Sequence, residues 1–162
     1  PWETPYGTTA IPQIGFNGFW GTNDTNGIMR GFADYRDGRT ATIASVTDGT
    51  SNTLIVGEGI VQEDPNNEMW GFTGGAAGVT IPLNWKTNKP KTACTDGGPY
   101  GSNDWNCRFS YAARGFKSRH PGGANFLFAD GSVKFIKNSI NRVTYCALGS
   151  RDGGEVVSAD AY

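Results

Sequence analysis

Leucine is almost missing from this 162-residue chain: only Leu54, Leu83, Leu127 and Leu148 occur. A helical bundle or coiled coil needs many straight-chain helix formers, so that class is excluded. Histidine occurs once, at His120, and cysteine three times, at Cys94, Cys107 and Cys146. Their spacing fits no zinc motif, because His120 lies far from any cysteine pair. Charge is sparse at 18% and nearly balanced, with a net of −1. No basic footprint for nucleic acid or an anionic membrane follows from it. No apolar run approaches the roughly 20 residues that cross a bilayer. The best, residues 125–129, is strand-sized. No positively charged start precedes an apolar stretch, so no signal peptide is read. The chain begins at Pro1 without an initiator Met, which reads as a mature or truncated product.

What is present favours sheet. Glycine is 24 of 162 residues, roughly twice ordinary usage. Thr, Ile and Val are plentiful, and they fit a pleated surface. Hydrophobic residues make up 37%, with five Trp and nine Phe, enough to bury a core and to exclude wholesale disorder. The length suits one domain over 1–162. Within it, 1–39 reads as an irregular lead-in, 40–148 as the core and 149–162 as a polar tail. Asp-Gly and Asn-Gly dipeptides, seven in all, mark tight turns along the chain.

Several strands are expected between those turns. Residues 53–61 read as a strand interrupted by Gly57 and Gly59; 69–72, 78–83 and 155–157 are shorter candidates. Residues 39–47 suit a short helix or strand. Residues 124–129 and 132–136 alternate in polarity about Asp130-Gly131, which predicts a hairpin with a two-residue turn. Phe126 and Phe128 then share one face, Asn125 and Leu127 the other. A short helix is expected within 138–148, capped by Asn138 or Ser139. The fold class is therefore predominantly β: an antiparallel sheet with long irregular loops.

The longest loop runs over 84–108. Cys94 and Cys107 bracket its turn-rich part, which cannot bury much apolar surface, so a Cys94–Cys107 disulfide would order it in an oxidising compartment. The alternative is three reduced cysteines buried as small hydrophobes. Cys146 is then left over, either buried and free or paired with a segment outside this chain.

Residues 116–133, FKSRHPGGANFLFADGSV, carry His120 followed by Asp130-Gly131. They resemble the signature of a large bacterial family of pilin-like proteins, the domain of unknown function 1559, with its His-x9-Asp-Gly motif. Residues 46–58, VTDGTSNTLIVGE, are similar to the family's other recognisable segment, and 145–157 resemble its ending. The match covers about 40–158; residues 1–39 resemble the family only loosely. The resemblance implies a β-rich, pilin-like globular head, α+β in the intact family, whose leader and long hydrophobic N-terminal helix this chain lacks. It implies a structural subunit of a surface filament, type IV pilin-like or pseudopilin-like, extracellular and periplasmic before assembly. Its partners would be copies of itself or other pilin-like subunits, with a helix supplied on a separate chain. The motif positions here are His120, Asp130, Gly131, Asp48, Gly49, Asn52 and Glu58.

The motif residues allow a physical reading of their own. Ten residues of extended chain span roughly 33 Å, so a strand between His120 and Asp130 separates them. Asp130-Gly131 is then the turn, and His120 orients the chain entering the strand through ring hydrogen bonds. A catalytic pair would need a fold-back at Pro121-Gly122-Gly123, and no nucleophile elbow, phosphate loop or His-rich metal motif accompanies it. No enzyme activity is expected. Asp48, Thr50, Ser51 and Asn52 carry oxygens for a cation or sugar; the preferred reading is a turn capped on nearby backbone amides. Glu58 is a candidate partner for an Arg. For calcium, Asn103, Asp104 and Asn106, or Asp34 and Asp37, supply oxygens without EF-hand spacing, and no other cofactor is expected. Trp20, Trp85 and Trp105 suit an alternative function, an extracellular carbohydrate- or solute-binding module, if they are exposed.

Overall fold

Period-2 alternation builds the centre of the structure. The computed structural model describes residues 42–60, 79, 81–87 and 115–158. Strand β2, Gly123–Phe128, pairs antiparallel with β3, Val133–Lys137. Ala124, Phe126 and Phe128 point inward and are at most 1% exposed. Asn125 and Leu127, on the opposite face, are only half-buried. Directly opposed residues of an antiparallel pair share a face. Ile136 is accordingly buried opposite Ala124, whereas Val133 and Phe135 stand outward opposite Leu127 and Asn125.

Four residues, Ala129 to Ser132, lie between these strands, and the backbone pairing of Phe128 with Ser132 leaves three of them in the loop, one more than the two-residue turn expected. The Phe128 carbonyl accepts the Gly131 amide at 3.0 Å, and the Phe128 amide donates to the Ser132 carbonyl at 2.9 Å. Gly131 sits at φ 86°. The extra residue lets a single left-handed position close the loop, and glycine adopts that conformation at no steric cost.

Strand β1, Leu54–Gly57, lies on the other side of β2, giving a three-stranded antiparallel sheet in the order β1-β2-β3. It is shorter than the 53–61 strand expected. Leu54 pairs with Phe128 but Val56 pairs with Leu127, so Ile55 is an extra residue, a bulge. Past the bulge, Val56 faces outward and Gly57 faces inward opposite Phe126. A Cβ on Gly57 would lie 2.5 Å from ring atoms of both Phe116 and Phe126. The missing side chain is what lets those rings meet edge to face, with centroids 5.0 Å apart. Glu58, Gly59 and Ile60 have left the ladder.

Helix α1, Arg142–Leu148, covers the inner face. Its cap is Asn141, whose side chain accepts the Val143 amide at 2.8 Å, rather than Asn138 or Ser139. The Ile140 amide bonds back to the Lys137 carbonyl at 3.0 Å. That turn sends Ile140 into the core and delays the helix start. Tyr145, Cys146, Ala147 and Leu148 are buried, and Tyr145 meets Phe126 edge to face at 6.1 Å. Leu54, Leu83, Phe128, Ile136 and Ile140 complete one apolar cluster, each large side chain contributing about 1.5–3 kcal/mol by leaving water.

The weaker expectations met mixed outcomes. Within 39–47 the described residues form a short 3-10 turn, Ile43–Ser45, and another follows at Thr50–Asn52. Residues 79 and 81–83 carry no strand; the chain turns there, with the Trp85 amide on the Pro82 carbonyl at 3.0 Å, while Ile81 and Leu83 are buried. Residues 155–157 carry no strand either. The 69–72 strand lies outside the described residues. Among the described residues no helix is long and apolar enough to cross a membrane.

Gly57 gives a direct test of this packing. Gly57→Ala should lower the unfolding free energy by about 1–3 kcal/mol in urea denaturation, through overpacking against Phe116 and Phe126. Val133→Thr, on the outer face, should stay within about 0.5 kcal/mol.

Candidate functional site

Glu58 follows the last residue of β1, where the β-ladder stops. Its carbonyl accepts the Lys117 amide at 2.9 Å, which brings in the chain that leads to His120. Its side chain then turns back onto β2: Oε2 accepts the Asn125 amide at 2.8 Å. A carboxylate thus takes the position that a strand carbonyl would occupy. Oε1 pairs with Nε2 of His120 at 3.2 Å, with the two side chains 33% and 53% exposed. Ser118 also hydrogen-bonds the Glu58 side chain, and the Ser118 hydroxyl oxygen accepts the His120 amide at 3.1 Å. Burial pushes the Glu58 carboxyl up, but the Asn125 amide, Ser118 and His120 together outweigh it and hold it below its ordinary 4.5.

The imidazole also touches the sheet. His120 meets Phe135 edge to face at 6.4 Å, and the Phe135 ring lies where a Cβ on Gly123 would be, with Cε1 2.7 Å from that point. The Glu58–His120 pair therefore sits on the outer face, beside the row Val56, Leu127 and Val133. In a hydroxyl nucleophile relay the imidazole stands between hydroxyl and carboxylate. Here Glu58 is the acceptor shared by Ser118 and His120, so the arrangement holds chain segments together.

Asn84 ties the same end of the hairpin from below. Its backbone is left-handed, at φ 59°. Oδ1 accepts the Ser118 amide at 2.6 Å, while Nδ2 donates to the Gly123 carbonyl at 3.2 Å and to Asn138 Oδ1 at 2.7 Å. Sequence reasoning missed this residue. The only local signal is that Asn tolerates positive φ better than most residues.

Asp130 and Gly131 lie at the opposite end of β2, as the spacing predicts. The Asp130 amide donates to the Thr50 carbonyl at 3.0 Å and the Ala129 amide to the Thr53 carbonyl at 2.9 Å. Asp130 Oδ1 accepts the Ser132 amide at 2.8 Å. Hydrogen bonds from Ser132, with Lys134 nearby, hold the Asp130 carboxyl below its ordinary 3.8. Lys134 Nζ reaches the Ser51 carbonyl at 2.9 Å and lies 4.2 Å from the centre of the Phe128 ring. Residues 50–58 are thus fastened to β2 and its turn at both ends.

Two expected partnerships are corrected. Among the described residues the partner of Glu58 is His120 rather than an Arg, because the chain at Lys117 is drawn against the Glu58 backbone. Asp48 does not cap nearby amides: Oδ2 accepts the Gly153 amide and Oδ1 the Gly154 amide, each at 2.8 Å. Gly49 is at φ 97°, and its carbonyl accepts the Asn52 amide at 3.0 Å and the Thr53 hydroxyl at 3.1 Å. Trp85 is half-buried. Cys146 is free and buried, with Sγ 3.5 Å from the Val79 carbonyl, and burial pushes its thiol up to about 11. Trp20, Trp105, Cys94, Cys107 and both calcium sets lie outside the described residues. Among the described residues, no group of three or more His, Cys, Asp and Glu is placed to hold a metal ion.

The Glu58 contacts carry a pH dependence of defined sign. A carboxyl held below its ordinary 4.5 stabilises the fold above that pH and loses the contribution as pH falls through the folded value. Glu58→Ala, which strands the Asn125 amide, should cost about 1–3 kcal/mol at pH 7. His120→Ala, which removes one hydrogen bond to Glu58, should cost about 0.5–1.5 kcal/mol. In denaturant titrations the Glu58→Ala deficit should shrink at pH 3; an unchanged deficit would assign the loss to packing instead.

A family model described as "Protein of unknown function (DUF1559)" matches residues 3–143. No curated protein and no solved structure matches the chain. The matched span takes in the Glu58–His120 pair and the hairpin and ends at Val143, the second residue of α1, and the chain belongs to the DUF1559 family.

Proposed function

We propose that this chain is the globular head of a structural subunit in a bacterial surface filament, pilin-like or pseudopilin-like, located outside the cell. It works through contacts with copies of itself or with other such subunits, and it carries out no catalysis. The observation that carries the reading is the outer face of the sheet. Val56 is 50% exposed, Val133 66% and Phe135 43%, and half-buried Leu127 lies between the two valines. Large apolar side chains lined up across three strands mark a surface that another surface covers. The Glu58–His120 pair edges this row and presents charge and hydrogen-bonding groups to whatever lies on it. The resemblance of the His120 and Asp48 segments to pilin-like proteins supplies the filament context.

Self-association is the test. Sedimentation velocity should show concentration-dependent assembly of the full chain between about 1 and 100 µM, the range of weak, modest-area contacts. Val133→Asp and Val56→Asp should each weaken it by roughly tenfold or more with an unchanged far-UV spectrum. A strictly monomeric wild type, or assembly indifferent to both substitutions, would overturn the proposal.

A further inference from the structure

Two carboxyl groups meet where the C-terminal strap, residues 151–158, returns to the sheet. Asp48 grips the strap with both oxygens, on the Gly153 and Gly154 amides, and its own amide donates to the Arg151 carbonyl at 3.1 Å. With both oxygens accepting N–H donors, Asp48 is fixed as an acceptor. The Glu155 carboxyl lies beside Asp48 and Ser150, against the same Gly153 whose amide Asp48 holds. It packs against Gly153 so closely that a Cβ there would collide with the carboxyl group. Its Oε2 is buried and has no hydrogen-bond partner. A hydrogen bond between two carboxyl groups needs one proton, and Asp48 is already committed as acceptor. An ionised Glu155 would face a like charge and leave a buried oxygen unsatisfied, both costly.

We propose that the strap is a proton-dependent clasp: protonated Glu155 donates to ionised Asp48 and closes residues 151–158 onto the core, and loss of that proton loosens it. Other groups around the clasp are Ser150 and the Arg151–Asp152 pair, whose Nε and Oδ2 lie 3.5 Å apart. Val157 is the side chain that the closed strap lays against the apolar cluster. Burial first, then the charge and hydrogen bond of Asp48, push the Glu155 carboxyl above its ordinary 4.5. A raised carboxyl contributes stability below 4.5 and loses it as pH rises through the folded value. The clasp therefore responds to pH in the sense opposite to the Glu58–His120 contact.

Amide hydrogen exchange of the full chain, corrected for intrinsic rates, reads the clasp directly at Gly153 and Gly154. From about pH 5 to pH 8 their protection should fall by about threefold or more while β2 amides hold theirs. Glu155→Gln, neutral at every pH and still able to donate to Asp48, should keep Gly153 and Gly154 protected throughout. Constant wild-type protection would overturn the proposal. So would the same fall in Glu155→Gln, or a fall shared equally by β2.

Discussion

One side chain stands in for backbone at the point where the sheet would otherwise end. Past Gly57, β1 no longer offers a carbonyl to β2, and the Asn125 amide is taken by the Glu58 carboxylate. A strand amide left without a partner away from water costs about 1–3 kcal/mol, so this contact completes the central strand. It also selects what surrounds it. The same carboxylate draws in Ser118 and His120, His120 settles on Phe135, and Phe135 covers Gly123. From one acceptor the order spreads across all three strands of the outer face.

At the other end of β2 the logic is different. The Thr50 and Thr53 carbonyls take the Asp130 and Ala129 amides, and Lys134 reaches the Ser51 carbonyl. These contacts are backbone-centred, with one lysine added, and need no specific acid or base. The inner face depends on neither end: Phe126, Phe128, Ile136 and Tyr145 are excluded from water by α1 and by the Leu83 segment. Polar fasteners set the register, and apolar burial supplies most of the favourable energy.

What the sequence announces follows from how local each interaction is. The hairpin is legible because alternation and Asp-Gly are properties of adjacent residues, and Phe126 and Phe128 fall on the face expected of them. The bulge at Ile55 is not, because it depends on which β2 residue Val56 meets across the sheet. The same holds for the site. That His120 orients a strand entry could be read from its place before Pro121-Gly122-Gly123, but its partner is 62 residues earlier at Glu58. Asp48 reads as a local cap because Asp-Gly commonly is one, whereas its acceptor oxygens serve amides 105 and 106 residues away. Asn84 reads as an ordinary loop residue although it fastens three segments.

The placement of His120 and Asp130 makes the interval between them a ruler. Six of the intervening residues are β2 itself, Gly123–Phe128, with Pro121-Gly122 before it and Ala129 after it. A one-residue deletion inside β2 would invert every side chain beyond it, exchanging Phe126 and Phe128 with Leu127 and the loop for their places in the core. A two-residue change would restore the facing but shift one fastened end by about 7 Å relative to the other. The hairpin could then meet Glu58 or Thr50, but not both. A length change that this fold tolerates therefore has to fall outside that interval, and the spacing from His120 to Asp130 is a measure of distance between two anchors.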